Sequence, residues 1–234
     1  MFPIKTTERL NSWPIVTWLL IAANIYGFVQ TLYVKDPDAF MQMWALVPAN
    51  YDLRNPGLIQ WTQYTILPIF THMFLHGGIA HIAGNLLSLL VFGPNVEDRF
   101  GKIGFLIFYF ACGLAAAVTQ VAFSQGSTIP TLGASGAIAG VMGAFFVLYP
   151  TAKVVSVVPI IVYPLIVRVP AWVYLFFFAG MNVVNALKEM RMMQDSQGVA
   201  WWAHIGGFAI GMVYGLILGR RKAEPKASAG ETHA

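Results

Sequence analysis

Long segments without a charged residue divide this sequence, and they limit its possible folds more than any other feature. Five of them cover residues 10–34, 55–96, 103–152, 169–187 and 196–219. A helix needs about 20 apolar residues to cross a bilayer, and segments of this kind supply them. Charged residues make up only 10% of the chain, against roughly 25% in a soluble domain. The chain is therefore predicted to be an integral membrane protein, and soluble enzymes and nucleic-acid-binding proteins are excluded as classes.

Prolines, glycines and polar turns divide the longer segments further and leave six predicted spans. The six helices are expected over residues 13–34, 78–95, 103–124, 134–150, 169–188 and 199–219. The predicted fold class is thus an all-α membrane protein, with six transmembrane helices in one membrane domain over residues 1–219. The apolar residues 154–169 include Pro159 and Pro164, so we expect a connection at the membrane surface rather than a seventh span.

The segments outside the spans predict the orientation of the protein. Residues 35–77 form a long first loop, whose aromatic residues suit the headgroup level of a membrane. Ten of the lysines and arginines lie on the side that holds both chain ends, and four lie on the other side. By the positive-inside rule both termini are cytoplasmic, and residues 220–234 are predicted to be a disordered cytoplasmic tail. The short terminal segments indicate a bacterial plasma-membrane protein.

Several polar side chains lie within or beside the predicted spans, where they are costly and usually mark a function. They are His72, His76, His81, Asn85, Ser135 and His204. In the predicted topology, three separate helices carry the last four of these residues at a similar depth below the outer face. We therefore expect a shared site at that depth. Two further residues, Asn182 and Asn185, are interpreted as packing groups.

The spacing of glycines predicts which helices meet at this site. Glycines recur at every fourth residue of the last span, from Gly207 to Gly219, and such faces let membrane helices approach closely. The partner face is expected on the fourth span, at Gly136, Ala139, Gly140, Gly143 and Ala144. If the two faces meet, Ser135 and His204 come within hydrogen-bond distance. A serine bonded to a histidine is the nucleophile-and-base pair of acyl transfer, and a free N–H at a helix start can bind an oxyanion.

Two other classes of membrane protein also place histidines inside the bilayer. His72 and His76 are four residues apart and, with His81, are candidates for a metal or haem site, although no Cys, Asp or Glu lies near them in the sequence. A histidine-lined transporter is the second alternative. The absence of an internal repeat and of an intramembrane carboxylate argues against it. We expect neither a cofactor nor a metal ion.

The polar residues belong to motifs that resemble those of the rhomboid intramembrane serine proteases. Residues 72–85 resemble the family's H-x-x-x-H-x-x-x-x-H-x-x-x-N stretch. Residues 133–136 match its G-x-S-G nucleophile motif, with glycines at Gly133 and Gly136. Because two motifs on different predicted helices match in the family's order, the resemblance is more specific than either motif alone.

Two further elements extend the resemblance. Residues 203–211 are similar to the A-H-x-x-G-x-x-x-G motif of the family's last helix, with glycines at Gly207 and Gly211. Glu97 and Gly101 match an E-x-x-x-G element that follows the second helix. The resemblance therefore extends over most of the predicted membrane domain.

The resemblance implies an intramembrane serine endopeptidase that cleaves transmembrane segments of membrane proteins near the extracytoplasmic face. Carried over residue by residue, it makes Ser135 the nucleophile and His204 the general base, without an acidic third member. His81 and Asn85, with the Ser135 N–H, would then form the oxyanion site. The implied partners are transmembrane protein substrates and the lipid bilayer, and no nucleic acid.

The resemblance also implies structural roles for His72 and His76 in the first loop, and a fifth helix that acts as a substrate gate. The chain departs from the family at two positions. Thr62 follows Trp61, where many members have arginine, and Ala139 stands where some members place a tyrosine against the histidine.

Ala139 in place of the tyrosine, and the presence of both Ser135 and His204, each bear on what is expected of the site. Trp201 or Trp202 is expected to be the neighbour of His204 in place of the tyrosine. A non-catalytic protein that binds membrane clients is the alternative within the same fold. Such proteins usually lack the serine or the histidine, and both are present here.

Overall fold

Long helices dominate the part of the chain that the computed structural model describes, which is residues 2–160, 163–192 and 199–219. Its helices are α1 (Ile15–Leu32), α2 (Pro37–Trp44), α3 (Gln63–Ile66), α4 (Pro68–Thr71), α5 (Ile79–Phe100), α6 (Lys102–Phe123), α7 (Ser135–Leu148), α8 (Ala171–Met192) and α9 (Trp201–Leu218). The strands of this part are β1 (Phe2–Thr6), β2 (Lys153–Ile160) and β3 (Tyr163–Pro170). The predicted tail over residues 220–234 lies outside the described residues.

Five helices of the described residues are long and apolar enough to cross a membrane, namely α1, α5, α6, α8 and α9. The apolar α7 is shorter, with 14 residues, which corresponds to a length of about 21 Å. The fold class is confirmed as a mostly helical membrane bundle. Each predicted span overlaps one of these six helices. The largest difference is at α5, which continues through Pro94 to Phe100 instead of ending at residue 95.

A small β-sheet occupies the segment that was predicted to connect two spans at the surface. β2 and β3 pair in antiparallel orientation over their whole length, and β1 pairs with the other side of β2. These strands were not predicted, although the many valines of the segment suit a pleated strand. The Thr6 hydroxyl of β1 donates a hydrogen bond to Asn95 Oδ1 near the end of α5 (2.8 Å). The sheet therefore lies at the end of the bundle where α5 terminates.

The sheet and the first loop lie at opposite ends of the bundle. β1 precedes α1 and the β2–β3 hairpin joins α7 to α8, whereas the first loop joins α1 to α5. Because consecutive long helices alternate in direction, α5, α7 and α9 all begin at the end opposite the sheet. Near these three helix starts lie the polar candidates His72, His76, His81, Asn85, Ser135 and His204.

Hydrogen bonds stabilise the first loop internally and attach it to the segment before α7. Leu46 and Thr131 exchange two backbone hydrogen bonds (3.0 and 2.7 Å). The Tyr51 hydroxyl donates to the Thr65 carbonyl (2.6 Å), and Thr62 and Thr65 form a capping box at the start of α3. Thr62, at the position where many rhomboid proteins have arginine, therefore stabilises this loop by a helix cap.

The short helix α7 lies at the centre of the bundle and packs closely on α9. Ten consecutive residues of α7 are buried. A methyl group added to Gly207 or Gly211 would overlap the carbonyl oxygen of Gly136 or Gly140. The two backbones are thus in direct contact, and the predicted meeting of the glycine faces is confirmed.

Glu97 and Gly101 connect α5 to its neighbours at the sheet end. The buried Glu97 carboxylate accepts hydrogen bonds from the N–H groups of Val16 and Thr17 (2.9 and 2.7 Å) and from the Thr17 hydroxyl (2.7 Å). It caps the first turn of α1, where the helix dipole favours a negative charge. Gly101 has a φ of +72°, which glycine adopts readily, and so permits the turn from α5 into α6.

The Glu97→Gln variant is expected to lower the free energy of unfolding by about 2 kcal/mol. The glutamine amide keeps one acceptor oxygen, but its NH₂ group faces a backbone donor, and the charge at the helix start is lost. Thermal unfolding in detergent measures the effect, with Asp38→Asn at the exposed start of α2 as the matched control. An unchanged unfolding midpoint for Glu97→Gln would contradict the capping role.

Candidate active site

The starts of α7 and α9 bring Ser135 and His204 together. Ser135 is the first residue of α7, and His204 lies in the first turn of α9. The Ser135 Oγ atom lies 2.7 Å from His204 Nε2. Gly207, about one turn after His204, lies directly against Gly136, the residue that follows Ser135. The close packing of α7 on α9 therefore sets this distance, and the hydrogen bond expected from the glycine faces is present.

The second ring nitrogen of His204 bonds to Asn182 on α8. His204 Nδ1 lies 2.6 Å from Asn182 Oδ1, and Asn182 Nδ2 donates to the Phe178 carbonyl (2.8 Å). Since the amide oxygen faces His204, Nδ1 is a donor and Nε2 is free to accept the proton of Ser135. Asn182 was expected to be a packing group, and its contact with His204 was not predicted. An amide inside an uncharged span was the available signal.

Aromatic rings border His204 on two sides. Trp201 meets the imidazole edge-on, with ring centroids 6.2 Å apart and an interplanar angle of 89°. Phe178 lies 6.0 Å from it at 33°. Trp202 instead stacks on Phe123 of α6, with centroids 4.0 Å apart. Of the two expected neighbours, Trp201 is therefore confirmed, and Trp202 connects the ends of α6 and α9.

Gln120 of α6 holds the start of α9 in place. Its Oε1 accepts a hydrogen bond from the N–H of Ala203 (3.1 Å), the residue before His204. Its Nε2 donates to the Ser124 hydroxyl (3.0 Å). The first N–H groups of a helix have no partner within the helix, so Gln120 caps α9 from a neighbouring helix. The role of Gln120 was not predicted, because a single amide in an apolar span gives no indication of its partner.

His81 and Asn85 lie beside the loop that leads to Ser135. A methyl group added to Gly133 would come within 2.7 Å of His81 Nε2 and 3.6 Å of Asn85 Nδ2. Gly133 has a φ of +122°, which other residues rarely adopt. No side chain caps α7 at its N-cap residue Ala134. The N–H groups at the start of this helix are therefore available to an acceptor close to Ser135.

Two buried histidines connect the first loop to the candidate site. His72 Nδ1 donates to the Pro68 carbonyl (2.7 Å), and the His72 carbonyl accepts from the Gly133 N–H (2.8 Å). His76 Nε2 lies 2.9 Å from Asn85 Nδ2. Burial lowers the pKa of both histidines to about 4, so both are neutral at pH 7 and His76 can accept from the amide. One amide proton of Asn85 is used in this way, and the other remains to be donated.

Two of the three histidines of the first loop and α5 have hydrogen-bond partners within the protein. Among the described residues, no group of three or more His, Cys, Asp or Glu side chains is placed to hold a metal ion. His72 and His76 each direct a ring nitrogen at a protein partner, Pro68 and Asn85. These two contacts are of the kind that the structural role implied by the resemblance requires.

The fold and the site together define a multi-pass membrane protein that holds a serine–histidine pair at the start of a central helix. Comparison with known families agrees with this description, because the Rhomboid domain matches residues 61–221. The chain belongs to the rhomboid family. The family includes proteases, and membership supports an intramembrane protease type of function.

Named relatives come from a plant, a yeast and a bacterium. RHOMBOID-like protein 4 of Arabidopsis thaliana is 27% identical over an alignment of 245 positions including gaps, which covers 92% of this chain and 55% of the relative. Rhomboid protein 1, mitochondrial, of Saccharomyces cerevisiae is 27% identical over 187 residues, or 78% of this chain and 51% of the relative. Rhomboid protease GluP of Bacillus subtilis is 34% identical over 134 residues, or 57% of this chain and 24% of the relative. The chain thus spans about half the length of the first two relatives and about a quarter of the third.

Proposed function

We propose that this chain is an intramembrane serine endopeptidase that cleaves transmembrane segments of other membrane proteins. The contact of 2.7 Å between Ser135 Oγ and His204 Nε2 carries the proposal. His204 accepts the serine proton as Ser135 attacks the scissile carbonyl, and it returns the proton to the leaving amine. A water molecule then hydrolyses the acyl-enzyme, with His204 again as the base.

The oxyanion of the tetrahedral intermediate is held by His81, Asn85 and the backbone N–H of Ser135. Their support is the position of both side chains beside Gly133 and the uncapped start of α7. Donors that are held in place before the reaction stabilise developing charge without reorganisation. The substrate helix must unwind to expose its carbonyl, so small or helix-breaking residues are expected near the cut.

The site opens toward the extracytoplasmic face, and both termini are cytoplasmic. The excess of lysine and arginine on the side of the termini supports this orientation, and the sheet and the candidate site lie at opposite ends of the bundle. The bacterial plasma membrane stays a prediction, since the relatives come from a plant, a yeast and a bacterium.

A fluorophosphonate probe tests the proposal on purified protein in detergent. The Ser135 oxygen attacks phosphorus, fluoride leaves, and the serine proton passes to His204. We expect one labelled residue, identified as Ser135 by mass spectrometry, together with cleavage of a model transmembrane substrate in liposomes. Folded protein that neither reacts with the probe nor cleaves the substrate would overturn the proposal in favour of client binding.

The Asn85→Ala variant is expected to lower kcat by about 100- to 1,000-fold, the usual cost of removing one oxyanion donor. KM is expected to change little, because the donor acts on charge that develops only in the transition state. Cleavage kinetics in liposomes measure both constants. Asn95→Ala is the matched control, since Asn95 is buried in the same helix but bonds to Thr6 at the sheet end. Equal effects of the two variants would contradict an oxyanion role for Asn85.

A further inference from the structure

Asn182 is the third member of a hydrogen-bonded chain that connects three helices. This series of hydrogen bonds begins at Ser135 on α7, passes through His204 on α9 and Asn182 on α8, and ends at the Phe178 carbonyl. Its successive distances are 2.7, 2.6 and 2.8 Å. Only 4% of the Asn182 surface is exposed, so water competes little for these bonds.

We propose that Asn182 is the positioning residue of the serine–histidine pair, which holds the His204 ring in one orientation with its proton on Nδ1. This inference rests on the proposed function and adds a residue to it. A neutral imidazole carries its proton on either nitrogen. Only the form protonated on Nδ1 leaves Nε2 free to accept the proton of Ser135. In the other form, Nε2–H would donate to the serine oxygen and the histidine could not act as a base.

The Phe178 carbonyl determines which end of the Asn182 amide faces His204. A carbonyl only accepts hydrogen bonds, so the amide nitrogen of Asn182 must point to Phe178. The amide oxygen then points to His204, which must donate from Nδ1. With the amide reversed, its NH₂ group would donate to Nδ1 and the proton would stay on Nε2. Starting from the Phe178 carbonyl, each hydrogen bond therefore fixes which group must donate in the next one, as far as the Ser135 hydroxyl.

The surroundings of Asn182 explain why a neutral amide suits this position. Asn182 and His204 border a groove of about 400 Å³ whose other lining residues are apolar. A carboxylate buried beside such a groove would carry a large desolvation cost. An amide accepts the Nδ1–H bond without that cost, as the asparagine of Cys-His-Asn proteases does. The bond can persist when His204 becomes positively charged, because Nδ1 is a donor in both states.

Three variants of α8 test the proposal. Asn182→Leu has a similar volume and no acceptor, Asn182→Asp retains an acceptor oxygen, and Asn185→Leu makes the same change one turn further along the helix. Asn182→Leu is expected to lower kcat up to about 100-fold through misorientation of His204, with little change in KM. Asn182→Asp is expected to recover part of that loss, because its carboxylate still accepts from Nδ1–H but is desolvated and no longer donates to the Phe178 carbonyl. Asn185→Leu is expected to retain the wild-type kcat.

Nitrogen-15 NMR of histidine-labelled protein reads out the proton position directly. The difference between wild type and His204→Ala assigns the His204 signals. We expect the proton on Nδ1 in the wild type and in Asn182→Asp, and a mixture of both forms in Asn182→Leu. The wild-type measurement needs no variant to fold, and it does not depend on proteolytic activity.

Three results would overturn the proposal. They are a wild-type His204 with its proton on Nε2, a folded Asn182→Leu variant with wild-type kcat and proton position, and equal losses in Asn182→Leu and Asn185→Leu. Failure of the proposed function is a different result, because wild-type protein would then neither cleave a substrate nor react with the fluorophosphonate.

Discussion

Replacing either Ser135 or His204 by alanine is expected to lower the cleavage rate of a transmembrane substrate by about 10,000-fold or more. Ser135 Oγ supplies the nucleophile and His204 Nε2, 2.7 Å away, takes its proton. Without the base, the serine hydroxyl keeps its proton at neutral pH and attacks slowly. Without the serine, no acyl-enzyme forms. Cleavage in liposomes measures both rates.

The double variant separates a true pair from two independent contributions. Ser135 and His204 act in one proton transfer, so Ser135→Ala, His204→Ala and the double variant are expected to share one residual rate. Trp202→Phe is the control, because Trp202 lies two residues before His204 and stacks on Phe123 instead of His204. A double variant much slower than both single variants would show that the residues do not act as a unit, and a retained rate in Ser135→Ala would exclude it as the nucleophile.

Adding one methyl group to the α7–α9 contact is expected to cost both stability and activity. At Gly207 and Gly211 the new carbon would overlap the carbonyl oxygens of Gly136 and Gly140. Backbone atoms cannot move aside alone, so the two helices must separate. Overpacking of this kind costs about 1–3 kcal/mol in a close-packed core. Gly207→Ala lies about one turn from His204 and is also expected to lengthen the Ser135–His204 contact and slow fluorophosphonate labelling.

Gly180 on α8 provides a control with the same glycine-to-alanine substitution. A methyl group there would meet no atom within 4 Å, and alanine favours a helix over glycine by about 1 kcal/mol. Gly180→Ala is therefore expected to unfold at the wild-type temperature or above it, whereas Gly207→Ala and Gly211→Ala unfold lower. Thermal unfolding in detergent and the labelling rate check the two effects. Similar unfolding temperatures for all three variants would contradict the direct backbone contact.

The hydrophobic pattern was sufficient to predict the membrane-spanning helices. It did not predict the strands, where the local sequence is compatible with more than one structure. The six predicted spans overlap the five long helices and the shorter α7, but the β2–β3 hairpin was not predicted. An apolar segment of that length is consistent with strand, loop or helix. The pairing of β2 with both β3 and the distant β1 decides among them. The predicted end of α5 at residue 95 was set by the uncharged segment, which stops at residue 96 before Glu97. In the structure α5 continues to Phe100, and its last helical turn includes Glu97, whose carboxylate caps α1.

The candidate site was partly predictable, because some of its residues carry a signal within their own helix and others do not. Ser135 and His204 were expected to meet because glycine spacing is a local signal that marks a helix face. For Asn182 the sequence shows only an amide inside an uncharged span. Nothing in its own helix indicates that its side chain reaches a histidine 22 positions away. Gln120 is the same case, with a partner 83 positions away. Both contacts depend on how α8 and α6 are rotated against α9.

The sequence by itself determined that the protein lies in a membrane, which segments form long helices and which two helices approach most closely. Hydropathy and residue spacing act along one helix at a time, and so they can be identified without knowledge of the fold. Only the tertiary structure decided the hydrogen-bond partners of His204 and Glu97 and the packing of a sheet at one end of the bundle. Those contacts join residues far apart in the chain, and a buried polar atom bonds to whichever partner the packing of neighbouring helices places within about 3 Å.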